Sequence, residues 1–156
     1  MATVLSWEEY FMGVAAISAR RSKDPRTQVG ACIVNESDRI VAIGYNGMPS
    51  GCSDAEFPWA ADGDDLDCKY LYVVHAELNA ILNATTPLTG CTVFTTLFPC
   101  NECCKAIIQA GIKKVVYLCD KYADSASVIA GKRMLAAAKV EFAAYDGRRD
   151  DLVITL

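Results

Sequence analysis

His75 is the only histidine in the chain, and Glu77 follows it by two residues. Downstream, Pro99-Cys100-Asn101-Glu102-Cys103 places two thiols three residues apart. One imidazole and two thiolates make three ligands of the kind zinc accepts, and a zinc site that hydrolyses keeps a fourth position open for water. Zinc lowers the pKa of its water to about 7, from about 15.7 in bulk. Glu77 is not needed as a ligand and stands where it can take that proton and pass it on. Such general acid–base help is typically worth about 10²–10⁴-fold. The chemistry these residues suit is hydrolysis, with Zn2+ on His75, Cys100 and Cys103 and with Glu77 as the catalytic acid and base.

The competing reading is a zinc ion that only braces the fold. Structural sites are usually closed by a fourth protein ligand. Cys104 adjoins Cys103 and points elsewhere on a helix, so it is a poor fourth ligand, while Cys68 or Cys91 could in principle close the shell. Glu77 would then have no task, and the hydrolytic reading is preferred. The eight cysteines are not read as a disulfide framework, because a chain of 156 residues needs no staples and several of them lie in apolar strand-like runs. Cys32, Cys91 and Cys119 read as small buried hydrophobes.

Elements must bring the two zinc segments together. Ser6-Trp7-Glu8-Glu9 reads as a capping box. Trp7, Tyr10, Phe11, Val14 and Ile17 follow at helical spacing, predicting a first helix that turns this face inward and ends near Ser22, before Lys23-Asp24-Pro25. Gly30 to Asn35 and Ile40 to Tyr45 predict a hairpin joined by Glu36-Ser37-Asp38-Arg39. His75 to Ala84 predicts a helix with His75 and Glu77 in its first turn. Cys91 to Thr96 reads as a strand. Pro99 opens a helix that sets Cys100 and Cys103 on one face and ends at Gly111. A strand over Val115 to Cys119, a helix over Ala126 to Ala138 and a strand over Val140 to Ala144 complete the order. Alternation in this half implies parallel strands with helices on both faces. The expected fold is α/β, a three-layer α/β/α arrangement on a five-stranded mixed sheet, with residues 1–156 as a single domain.

Between these elements lie segments of other character. Arg20, Arg21, Lys23 and Arg26 form a basic turn, which on its own reads as a solvated helix end whose cations complement the carboxyl-terminal dipole. A phosphate clamp is the sharper alternative. Gly44 to Cys52 carries three glycines and a proline, a loop with backbone positions that suit positive φ. Residues 54–70 are rich in aspartate and read as a surface excursion. A net charge of −4 argues against a nucleic acid polymer as partner. No apolar run reaches the roughly 20 residues of a membrane span, and no secretory signal is visible, so a cytoplasmic, reducing compartment is expected.

Read together, these stretches resemble the deoxycytidylate deaminases of the cytidine deaminase superfamily. His-x-Glu followed by Pro-Cys-x-x-Cys is the signature of zinc-dependent base deaminases. Arg21-Ser22-Lys23-Asp24-Pro25, Gly44-Tyr45-Asn46-Gly47-Met48-Pro49 and Asp120-Lys121-Tyr122 are similar to the nucleotide branch. The resemblance implies a cytidine-deaminase-like fold and hydrolysis of dCMP to dUMP and ammonia, feeding thymidylate synthesis. It implies that Asn46 bonds the sugar or base, that Tyr122 contacts the nucleotide, and that Ser22, Lys23 and Arg26 are candidates for the 5′-phosphate. Gly47, Met48, Pro49, Cys52 and Asp54 would belong to an effector loop. Activation by dCTP, inhibition by dTTP, Mg2+ accompanying a triphosphate effector and a homo-oligomer, a hexamer, complete what the family suggests. The rivals are a deaminase of the same fold acting on another base or nucleoside, and a non-catalytic zinc-braced nucleotide sensor.

Overall fold

Ser6 caps the first helix as its sequence predicts. The Ser6 hydroxyl accepts from the Glu9 N–H at 3.1 Å, and the Ser6 N–H donates to the Glu9 carboxylate at 2.7 Å. The computed structural model describes residues 4–148. Helix α1 spans Trp7–Ala19 and leaves through a turn in which the Ser22 N–H donates to the Ala19 carbonyl at 3.0 Å, so it ends earlier than expected. Its buried face is only partly the expected one, since of that set Phe11 is buried and Val14 packs against the core. Phe11, Met12, Ala15 and Ala19 face inward, whereas Trp7, Tyr10 and Ile17 are 58%, 45% and 42% exposed. The cause is a close approach: a Cβ on Gly30 would lie 1.9 Å from the Ala15 carbonyl oxygen. At that separation the contact face takes alanine, and the bulkier side chains fall on the flank.

The sheet contains β1 (Gly30–Val34), β2 (Ile40–Tyr45), β3 (Thr92–Thr95), β4 (Lys114–Tyr117) and β5 (Glu141–Ala144) in the order β2-β1-β3-β4-β5. Strand β1 is antiparallel to both neighbours, and β3, β4 and β5 run parallel. The mixed five-stranded sheet is therefore as predicted. Helices α2 (Ala76–Asn83), α3 (Asn101–Gln109) and α4 (Ala126–Ala137) cover one face over a core that includes Ile33, Val93, Ile107, Val115 and Leu135. Helix α1 covers the other face, through Phe11, Met12, Phe94 and Val116. Each step from β3 to β4 to β5 moves one strand outward in the same direction, and right-handed crossovers then keep α3 and α4 on one side.

The remaining element ends fall within two residues of their predicted positions. Two expectations need correction. Residues 54–70 are not wholly superficial, because the run folds into short 3₁₀ turns at Asp65–Asp67 and Lys69–Leu71 and returns Cys68 and Lys69 to the interior. Cys119 is only half-buried, although Cys32 and Cys91 are buried; all eight cysteines are free thiols. No helix of the described residues is long and apolar enough to cross a membrane.

Candidate active site

Two helix amino-termini meet at one end of the sheet. His75 is the N-cap residue of α2, just outside the first turn, and Cys100 is the N-cap of α3. Helix α2 is pressed onto β2, since a Cβ on Gly44 would lie 2.4 Å from the Ala76 carbonyl oxygen. Just upstream, Val74 and Gly47 exchange backbone hydrogen bonds of 2.9 and 3.1 Å, which fixes the segment entering His75. The Cys103 N–H donates to Cys100 Sγ at 3.4 Å. His75 Nδ1 lies 3.3 Å from Cys100 Sγ and 3.7 Å from Cys103 Sγ, and the three ligand atoms lie within 4.8 Å of one another.

These distances fit zinc. Ligand bonds of about 2.05 Å to nitrogen and 2.3 Å to sulfur at a tetrahedral angle place the two ligand atoms about 3.6 Å apart. The electrostatics agree with the geometry. The hydrogen bond from the Cys103 thiol, joined by His75, holds Cys100 down to about 4 against the opposing effect of burial. The same bond, and then burial, pushes Cys103 up. A dication bound by both sulfurs as thiolates would displace the proton they share. Cys104 is buried with its Sγ directed at the Pro99 carbonyl, 3.6 Å away. Neither it, Cys68 nor Cys91 belongs to a metal-holding group among the described residues. The fourth-ligand alternatives therefore find no support.

Glu77 sits in the first turn of α2 and is 3% exposed. Its Oε1 lies 2.7 Å from the Thr95 hydroxyl, which is also 3.0 Å from the Leu97 carbonyl. A hydroxyl has one proton and so donates to one of these two at a time. Burial pushes the Glu77 carboxyl above the usual carboxylate range, against the Thr95 hydrogen bond and its own backbone N–H. A carboxyl with a raised pKa, beside groups that can hold a metal, is suited to taking and returning a proton near neutral pH.

His75, Glu77 and Cys100 line a cavity of ≈ 390 Å³, a size that suits a small ligand. Leu97, Phe98, Val29 and Val128 form apolar walls, and Ser125, Ser127, Arg26 and Lys69 contribute polar groups. Of the residues singled out from the resemblance, Asn46, Tyr122 and Arg26 reach this cavity. Asn46 is buried and heavily engaged: its Oδ1 accepts from the Val29 N–H at 2.8 Å, and its Nδ2 donates to the Thr27 carbonyl at 3.0 Å and to Asp24 at 3.3 Å. Ser22 and Lys23 are not on the cavity wall. The Ser22 hydroxyl accepts from the Asp24 N–H at 3.2 Å, and Lys23 pairs with Asp54 at the surface. Gly47, Met48, Pro49, Cys52 and Asp54 likewise lie outside the cavity lining.

Sequence reasoning missed Lys69 and Thr95. Lys69 is 8% exposed and pairs with Asp24, whose carboxylate also accepts from the Arg26 and Thr27 N–H groups at 2.8 and 3.1 Å. Burial opposes the charged form of Asp24, but Lys69 and these two amides outweigh it and hold the carboxyl below its usual value. The acidic character of the surrounding run concealed this inward lysine. Thr95 lies in a β-rich run, where a threonine gives no sign of which side chain it will meet.

The chain matches the family described as the cytidine and deoxycytidylate deaminase zinc-binding region over residues 5–119. It is 54% identical to the deoxycytidylate deaminase of Homo sapiens over 152 residues, covering 96% of this chain and 85% of that protein. It is also 54% identical to a probable deoxycytidylate deaminase of Drosophila melanogaster, covering 96% of this chain and 77% of the relative. The crystal structure of dCMP deaminase from the cyanophage S-TIM5, in complex with dCMP and dUMP, superposes with a TM-score of 0.73 at 29% identity, covering 92% of this chain and all of that one.

Proposed function

This chain belongs to the cytidine and deoxycytidylate deaminase zinc-binding family, and we propose that it hydrolyses dCMP to dUMP and ammonia. The observation that carries the reading is the buried Glu77 carboxyl beside the His75–Cys100–Cys103 group, with Glu77, His75 and Cys100 lining one cavity. Those three residues would hold one zinc ion, which when bound supplies a water acidic enough to act at neutral pH. Glu77 takes a proton from the attacking water and gives it to the ring nitrogen as oxygen adds at C4. Glu77 then takes the remaining proton from the new C4 hydroxyl and gives it to the amine, so that the C4–N bond breaks, ammonia leaves and C4 becomes the carbonyl of dUMP. Leu97 and Phe98 line the apolar side of the cavity, and among the other lining residues Asn46 and Tyr122 are assigned to the rest of the nucleotide and Arg26 to its phosphate.

Initial rates with dCMP, deoxycytidine and dCTP test the substrate. The reading expects dCMP to be the preferred substrate by kcat/KM, and preference for the nucleoside contradicts it. The regulatory part rests on the resemblance of the Gly47-Met48-Pro49 to Asp54 segment: dCTP with Mg2+ activates, dTTP inhibits, and the enzyme acts as a hexamer of single-domain chains in the cytoplasm. The exposed Trp7, Tyr10 and Ile17 supply apolar surface of the kind a second copy covers. Rates measured with and without each triphosphate, together with the mass in solution, test this part.

A further inference from the structure

We propose that Thr95 is a positioning residue for the reaction, fixing the Glu77 carboxylate relative to the metal-holding loop. Thr95 is fully buried on β3, the middle strand, paired with Ala31 of β1 on one side and Tyr117 of β4 on the other. Its backbone is thus fixed from both edges. Alternation along β3 turns Phe94 towards α1 and turns Val93 and Thr95 towards α2. The core on that side is apolar, and valine would fill the same space as threonine. Burying a hydroxyl there costs free energy unless partners are supplied, and the partners are specific. One is Glu77 Oε1 at 2.7 Å, and the other is the Leu97 carbonyl at 3.0 Å. Leu97 belongs to the segment that leads through Pro99 into Cys100. The hydroxyl therefore stands between the carboxyl on α2 and the loop that carries a metal ligand. It bonds both when a protonated Glu77 donates to it and it donates to Leu97, and it gives its one proton to one or the other when Glu77 is ionised. The adjacent Thr96 serves a different purpose, since its Oγ1 accepts from the Gly30 N–H at 3.1 Å.

The inference rests on the deaminase reading, and the test separates the two. Thr95→Val removes the hydroxyl and keeps the shape; Thr95→Ser keeps the hydroxyl. Thr95→Val is expected to lower kcat for dCMP about tenfold to a hundredfold, the size expected for a hydrogen bond to a charged group. Zinc content and KM should stay near wild type, and Thr95→Ser should recover most of kcat. If valine is not accommodated, Thr95→Ala gives the same readout. Wild-type kcat in Thr95→Val, or a loss in Thr95→Ser equal to that in Thr95→Val, overturns the positioning role while leaving the deaminase reading intact. Wild-type protein that turns over no dCMP overturns the deaminase reading and this inference with it.

Discussion

Arg26 and Lys23 carry the same charge three residues apart, yet only Arg26 reaches the cavity. Its Nη2 lies 2.9 Å from Asp62, an exposed pair worth little in water and readily exchanged for a phosphate. Arg26→Ala is expected to raise KM for dCMP by about tenfold or more and to leave deoxycytidine nearly unaffected. Lys23→Ala should change either substrate by less than about twofold, because an exposed pair of this kind contributes little. Paired KM measurements check both, and equal losses on the two substrates in Arg26→Ala would remove the phosphate role. At this scale the sequence shows the zinc ligands and Glu77 openly, because metal ligation restricts residue type and spacing. It conceals Lys69 and Thr95, whose partners, Asp24 and Glu77, are brought to them only by the fold.

The elements were legible wherever local signals act alone. The capping box, the hairpin loop and Gly111, whose φ of +78° ends α3, each follow from their own residues. The inward face of α1 was not legible, because it depends on how near β1 comes, and that is set by Gly30 beneath Ala15 and Ala19. The same logic yields a prediction at Gly44, where an added Cβ would meet the backbone of α2 at 2.4 and 2.5 Å. Gly44→Ala should destabilise the protein by about 1–3 kcal/mol, as overpacking does. It should also weaken zinc retention, since His75 is the N-cap of α2 and moves with it. Thermal melts and metal content after dialysis against a chelator check this, and an unchanged Tm with full retention would mean that the approach is not fixed there.

Across the whole molecule, Glu9 ties the start of α1 to Arg148, whose Nε lies 2.8 Å from the Glu9 carboxylate. The Arg148 guanidinium, with the Ser6 N–H, holds Glu9 down to about 2, from an ordinary value of 4.5. A depressed carboxyl contributes stability that is fully present above its unfolded value and is lost as pH falls through the folded one. This contribution should therefore fade between about pH 4.5 and about pH 2. In Glu9→Gln the decline of Tm over that window should be shallower, and an identical decline would show that the pair is unimportant. No local signal in the sequence joins residues this far apart. The catalytic account depends on the same long-range assembly, since α2 brings Glu77 to the cavity wall and α3 brings Cys103 beside His75. The most direct test is dUMP formation from dCMP by Glu77→Gln, beside wild type, at equal zinc content. The account predicts one zinc per chain in both proteins and a rate reduced by about 10²–10⁴-fold or more in the variant. An undiminished rate in the zinc-loaded variant would contradict it.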